Sequence, residues 1–366
     1  MSTIVMFTDF SAQGSGYRNI AIGVGTELAR RGHDVKLLGA GDHGQEHPFP
    51  FSVIPIPGVN ATNEVWGLLK NMKEIKYQHV LALIDIPKVI MLMDRCGDLN
   101  EKFSGLFPLE APPLIPSIAV KMMSLSGRFL MTKFGQEEFA KRHVSSDFVP
   151  IPVDSHVWYP VESERKETIR KALGIKGFTF LTVAENQERK NLSATAEIIS
   201  HVPEARWILV TRTQTPVGWN IPDLLNLFGI VDRTLVVEKG MHQDALVQLY
   251  HASDAMLITS KAEGLGMPVL ESMSCGLPVI APRHTAFEEH LSDGRGFLFL
   301  NKHAYLDPFG NQLRYFPDIE DGVRACNEAM NLTDQDRLSL VGKVSAYLNQ
   351  RSWESVGDVI CRTLEL

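Results

Sequence analysis

The chain has only four cysteines, Cys96, Cys275, Cys326 and Cys361, and no two stand at C-x-x-C spacing. Scattered in this way they read as reduced packing thiols, and they exclude both a disulfide framework and a thiolate zinc site. Twelve histidines are spread along the chain without joining the cysteines in a cluster, so no metal is expected. Long apolar runs are also missing: none approaches the 18 residues that a membrane helix requires. The first residues, Met1-Ser-Thr-Ile-Val-Met-Phe, carry no basic segment or cleavage site, so the expected compartment is the cytoplasm. A net charge of −7 and the absence of any arginine-rich run argue against nucleic acid as a partner. Internal repeats and low-complexity tracts are absent too.

What is present is enough apolar material for two cores, with 44% hydrophobic and 22% charged residues in a chain of 366. Short apolar runs alternate with helical patterns. Ile4–Thr8, Val35–Leu38, Val80–Ile84 and Phe129–Thr132 read as buried parallel strands, with a helix over Ile20–Arg31. A second series follows Pro160: Phe178–Val183, Trp207–Thr211, Thr234–Val237, Ala255–Thr259 and Leu277–Ala281. The expectation is therefore an α/β protein of two doubly wound, Rossmann-like domains, 1–155 and 156–349. The proline-rich segment Val149–Pro160 suits an extended connection between them.

Ser260–Pro282 reads SKAEGLGMPVLESMSCGLPVIAP and holds the densest chemistry. Glu263 and Glu271 stand eight residues apart, separated by Gly264, Leu265, Gly266, Met267, Pro268, Val269 and Leu270, between two strand-like runs. Glycines without a Cβ let backbone N–H groups approach an oxygen-rich ligand. Pro268 fits the first position of a short helix, which places Glu271 about one turn inside it. Two acceptor-only carboxylates then flank an anion-binding helix start at a strand's carboxyl end, where open α/β sheets take their ligands. The bland alternative is an ordinary strand-to-helix turn with two solvated glutamates.

The pattern E-G-x-G-x-P-x-x-E, followed by C-G-x-P-V-I-A, resembles the donor-site signature of retaining glycosyltransferases of family four, which have the GT-B fold with two domains facing each other across a cleft. The resemblance is strongest from about 150 to 300. It implies transfer of a hexose-type sugar from a nucleoside diphosphate, UDP- or GDP-linked, to a hydroxyl on a glycan, lipid, protein or small molecule, with retention and without a metal or other cofactor. It also implies that the last segment, from about 350 to 366, crosses back to complete the first domain.

A second constellation is Val183-Ala-Glu-Asn-Gln-Glu-Arg-Lys-Asn-Leu. Arg189 and Lys190 stand before a helix that Asn191 is placed to cap, where cations oppose the helix dipole. An anion nearby would offset that, and a pyrophosphate gaining charge as a glycosidic bond breaks is one such anion; a solvated basic turn is the other reading. The resembling family carries this lysine, matched by Lys190. At its usual arginine position this chain has Glu185, so either Arg189 supplies the second charge, the favoured reading, or the leaving-group clamp is weaker. In the roles implied, Lys190, Arg189 and Glu263 are catalytic. Asn186, Gly264, Leu265, Gly266, Met267 and Glu271 bind the donor, Glu271 through the ribose diol. Thr211 and Met241 are candidates for the base.

Weaker features complete the reading. Gly14 and Gly16, after the first strand, lack the third glycine and the distal acid of a dinucleotide site, and resemble the family's N-terminal loop that faces the donor phosphates. Asp85 and Glu110 follow strand-like runs and are acceptor-side candidates, with a turn or cap as the alternative. His284 and Glu289 sit where the family places a loop and an acid near the sugar. Asp334-Gln-Asp336 follows Thr333 with capping spacing and reads as a helix start, not a metal site. Lys121–Arg142 mixes apolar and basic residues; helix, strand and helix explain it better than contact with a membrane. Two rival functions share the fold: a nucleotide-sugar epimerase and a catalytically inactive sugar-nucleotide or glycan binder.

Overall fold

A computed structural model of the chain describes residues 1–10, 16–56, 61–96, 102–308 and 310–366. They form two compact units, Met1–Pro152 with Arg351–Leu366, and Val153–Gln350.

The first unit is built on β1 (Thr3–Asp9), β2 (Asp34–Ala40), β3 (Ser52–Ile56), β4 (His79–Leu83), β5 (Phe103–Phe107), β6 (Gly127–Leu130) and β7 (Asp147–Phe148). All pairs are parallel, in the order β3-β2-β1-β4-β5-β6-β7. Ile4–Phe7 and Val80–Leu83 are buried on both faces, which is why they read as unbroken apolar runs. Three strands escaped the sequence reading for physical reasons: β3 is a half-exposed edge holding Pro55, β5 is interrupted by Ser104 and Gly105, and β7 has two residues. β6 stops at Leu130, short of the expected Thr132, because Thr132 caps the next helix, accepting from Gly135 N at 3.2 Å. The helix Trp353–Leu364, started by a Ser352/Ser355 capping box, packs on the helix Gly16–Arg30. Gly23 permits the approach: a Cβ there would lie 2.2 Å from the Trp353 ring.

The second unit carries β8 (Thr179–Val183), β9 (Arg206–Thr211), β10 (Thr234–Glu238), β11 (Ala255–Leu257), β12 (Val279–Pro282) and β13 (Phe297–Phe299), parallel in the order β10-β9-β8-β11-β12-β13. Its core gathers Phe180, Trp207, Leu209, Ile280 and Phe299. The Trp207 indole N–H donates to Thr182 Oγ1 at 2.9 Å, and that hydroxyl donates to Leu257 O at 2.7 Å, so these two side chains, buried between strands, are satisfied. An antiparallel hairpin, β14 (Asn301–Leu306) with β15 (Leu313–Pro317), was not anticipated; its exposed, irregular residues carry no clean alternation. Strand order reverses between β8 and β11, so the carboxyl ends of these two neighbours form the switch point at which such sheets bind ligands. Among the described residues no helix is long and apolar enough to cross a membrane.

Candidate functional site

Both chemical constellations leave the sheet at this switch point. After β8 the chain makes a 3-10 turn, Glu188–Lys190, and enters the helix Leu192–Ser200 through Asn191. Asn191 does not cap with its side chain as expected. It adopts a left-handed φ of 53°, which asparagine tolerates, and its carbonyl takes the Thr259 hydroxyl at 2.8 Å.

After β11 the segment Ser260–Glu263 is fastened at every carbonyl. Ser260 O accepts from His284 Nε2 at 2.9 Å, Lys261 O from Tyr315 N at 2.8 Å, Ala262 O from Arg189 Nη1 at 2.7 Å, and Glu263 O from Ala286 N at 3.3 Å. Lys261 N donates in turn to Arg189 O at 2.8 Å. Arg189 therefore grips the loop with its backbone and its side chain. A loop held this way presents its carboxylate with little reorganisation.

The carboxylate is Glu263, buried at 8% exposure. Lys190 Nζ donates to its Oε2 at 2.5 Å, and Arg189 Nη1 lies 3.5 Å from the same oxygen. Burial alone would raise its pKa, but the charges of Lys190 and Arg189 outweigh that and hold it below the ordinary carboxylate range.

Gly264 to Gly266 are buried, and Gly266 takes a left-handed φ of 75° ahead of the helix Met267–Ser274. Pro268 occupies the second helical position, not the expected first. Leu265 O is held by His290 Nε2 at 2.7 Å, and Met267, half-buried, begins the helix. Glu271 lies inside the helix and accepts the Tyr250 hydroxyl on Oε2 at 2.7 Å. Burial pushes its pKa up to about 7, against the Tyr250 bond and the charge of Lys239, which pull it down. The two glutamates of the motif thus differ sharply in proton affinity.

The other predicted residues fall in varied settings. Asn186 is buried with its amide engaged by its own chain: Nδ2 donates to Arg212 O and Trp219 O, and Oδ1 accepts from Trp219 N. Thr211 ends β9, fully buried, its hydroxyl without a hydrogen-bond partner among the described residues. Met241 is half-buried ahead of the helix Gln243–Ala252. In the first unit Gly16 begins its helix, Asp85 accepts from the Tyr17 hydroxyl, and Glu110 is half-buried; Gly14 lies outside the described residues. The one H-x-x-x-H spacing, His43 to His47, belongs to a loop in which His47 pairs with Asp42 at 3.0 Å. Among the described residues no three His, Cys, Asp or Glu are grouped to hold a metal. Thr333 caps the helix Asp334–Leu348 by accepting from Asp336 N at 3.1 Å.

Around Glu263 and Glu271 stand His284, already singled out in the sequence, and residues that sequence reasoning missed: Thr285, Tyr315, Tyr250 and Lys239. His284 is buried, and its bond to a carbonyl requires the proton on Nε2, leaving Nδ1 to accept from Thr285 Oγ1 at 3.0 Å. Burial lowers its pKa to about 4, so the ring is neutral at pH 7. Tyr315 from the hairpin stacks on it at 4.7 Å. Thr285 has a φ of 44°, a strained value for a β-branched residue of the kind that gathers at functional sites. Tyr250 and Lys239 lacked any motif; only the fold brings them to Glu271 and Glu185.

Residues 165–306 match the family described as glycosyl transferases group 1. A mannosylfructose-phosphate synthase of Agrobacterium fabrum is 22% identical over 186 residues, covering 48% of this chain and 39% of that protein. The chain spans about two-fifths of the length of the curated relatives it first matches. A sucrose-phosphate synthase of Thermosynechococcus elongatus superposes with a TM-score of 0.79 at 14% identity, over 100% of this chain and 98% of that one. The Anabaena protein HepE, solved in complex with UDP and glucose, gives 0.72 at 16% identity over the whole of both chains. At such identities these likenesses show the fold, which is GT-B with two parallel-sheet, Rossmann-like domains.

Proposed function

We propose that this chain, which carries a group 1 glycosyl transferase domain on a GT-B fold, moves a hexose-type sugar from a nucleoside diphosphate to a hydroxyl acceptor with retention and without a metal. The observation that carries the proposal is the meeting of Lys190, Arg189 and Glu263 at the switch point, with Glu271 in the helix that follows.

The chemistry follows from charge. As the bond from the sugar's anomeric carbon to the diphosphate breaks, negative charge grows on the phosphate oxygen and positive charge on the sugar ring. Lys190 and Arg189 stabilise the first. Glu263, kept ionised by those same cations, orients the sugar and stabilises the second. The start of the helix Met267–Ser274 offers amides to phosphate. Glu271 accepts from the ribose diol when ionised. Asp85 and Glu110 are the candidates on the acceptor side, and Thr211 and Met241 those for the base. HepE's complex with UDP and glucose supports a UDP-sugar as the first donor to try. Synthases of sugar phosphates among the similar proteins support a small phosphorylated sugar as the first acceptor.

A thermal-shift panel of UDP-, GDP- and ADP-sugars identifies the donor, since a ligand at a hundred times its Kd adds about 2.7 kcal/mol of stability. With that donor, Lys190→Ala and Glu263→Ala are each expected to slow transfer at least about a hundredfold, while wild-type transfer persists in EDTA. Wild-type rates in either variant remove that residue from the mechanism. Epimer formation from donor alone identifies an epimerase, and donor binding with neither transfer nor hydrolysis identifies an inactive binder.

A further inference from the structure

Two glutamates near the switch point are each met by two cations. Glu263 faces Lys190 and Arg189. Glu185, two residues beyond β8, is hydrogen-bonded through Oε1 by Lys239 Nζ, and its Oε2 lies 3.3 Å from Arg212 Nε. This second cluster draws on three adjacent strand ends. Arg212 follows β9 directly and Lys239 follows β10. The sheet ladder continues past each strand, Ala184 N donating to Val210 O at 3.1 Å and Lys239 N to Thr211 O at 2.9 Å, so the three charged residues lie level with one another. Thr211, on the middle strand, is the fully buried residue whose hydroxyl has no partner among the described residues.

An ion pair at a partly exposed position contributes little to stability, typically about 1 kcal/mol or less. Lys239 and Glu185 are 23% and 28% exposed, so stability alone gives a weak reason for three strand ends to converge. Charge balance gives a stronger one. Lys239 and Arg212 together carry one positive charge more than Glu185 neutralises, and a second anionic group on a bound ligand answers it. Lys239 also acts electrostatically on Glu271, in the helix Met267–Ser274.

We propose that Lys239 is a second diphosphate-binding cation of this site, and that Glu185 is the positioning residue that holds its ammonium at the ends of β8 and β9. The proposal rests on the reading given under Proposed function. An ammonium has three donor protons, so Lys239 can keep its bond to Glu185 while donating to a phosphate oxygen. Arg212 remains on the other oxygen of Glu185 and balances its charge. An acid at position 185 therefore does not strip positive charge from the site; it recruits a lysine from a neighbouring strand.

Isothermal titration of the full chain with UDP and UMP, and with GDP and GMP, tests this. A monophosphate lacks the second anionic group. Lys239→Met should weaken the diphosphate at least about tenfold, as expected for losing one charge-assisted bond, and leave the monophosphate within about twofold. Glu185→Gln should lower the diphosphate-to-monophosphate affinity ratio by a smaller factor, a change that general loosening of the fold would not produce. Thermal unfolding confirms that each variant is folded, and Lys239→Gln replaces Lys239→Met if the latter is not. An unchanged ratio in the Lys239 variant, with wild-type protein binding the diphosphate, overturns this inference alone. A Glu185→Gln variant with the wild-type ratio removes the positioning role. Wild-type protein that binds neither diphosphate overturns this inference and the proposed function together.

Discussion

Replacing Glu271 by glutamine should stabilise the protein and weaken its donor binding at once, and the size of the first effect follows from burial. The Glu271 carboxyl titrates at about 7, raised from 4.5 chiefly by burial. A group whose folded pKa is raised contributes stability that is fully present below the unfolded pKa and is lost as pH rises through the folded one. For Glu271 that window runs from 4.5 to about 7. At about 1.36 kcal/mol per unit, a shift of this size makes the ionised side chain cost about 3 kcal/mol above pH 8. Glutamine has the same shape without the charge, and its carbonyl oxygen can still accept the Tyr250 hydroxyl that now bonds Oε2 at 2.7 Å. Wild type and Glu271→Gln should therefore be about equally stable near pH 4 and diverge above pH 6. At pH 8.5 the variant should be more stable by about 3 kcal/mol, or roughly 6–12 °C in Tm for a unit of this size. Urea and thermal unfolding of both proteins from pH 4 to 9, at fixed ionic strength, measure the divergence. On the proposed role the same carboxylate must be ionised to accept two ribose hydroxyls, so wild-type donor affinity should fall as pH drops below 7, and that dependence should vanish in the variant. Parallel stability curves, or a variant less stable at high pH, would refute the assignment of a buried, costly charge to Glu271.

The ion pair at Glu263 should behave in the opposite way. Lys190→Met leaves the buried carboxylate facing Arg189 at 3.5 Å among the described residues, and should cost about 3–5 kcal/mol in urea unfolding, most of it recovered by adding Glu263→Gln; no recovery in the double variant would show that the cost lies elsewhere. Gly266→Ala places a methyl 3.2 Å from Glu263 Cγ at a φ of 75°, so it should cost about 1–2 kcal/mol and lower kcat more than donor affinity, read by steady-state kinetics beside titration. Gly23→Ala forces the Trp353 ring off the helix Gly16–Arg30 and should destabilise the first unit by about 1–3 kcal/mol, seen as a lowered Tm with donor affinity unchanged.

The strands buried on both faces were legible as continuous apolar runs, and Gly264 through Pro268 marked the turn before a helix, because glycine and proline restrict the backbone whatever surrounds them. The pairing of Lys190 with Glu263, 73 residues apart, is visible only in the fold. The hairpin was not legible, since its residues gain a place through distant partners, Tyr315 stacking on His284 and donating its N–H to Lys261 O. Nor was the setting of Asn186, which a motif match would leave facing a ligand but which the fold turns onto the loop 212–219.

By itself, the sequence determined two doubly wound units and the spacing of two acids around a glycine turn, because local conformation and apolar periodicity are written residue by residue. The tertiary structure alone decided that one of those acids is held ionised by Lys190 and Arg189, that the other is pushed up to about 7 beside Tyr250, and that Glu185 comes with a lysine. Charge state depends on burial and on partners brought from distant strands, and no stretch of sequence contains either.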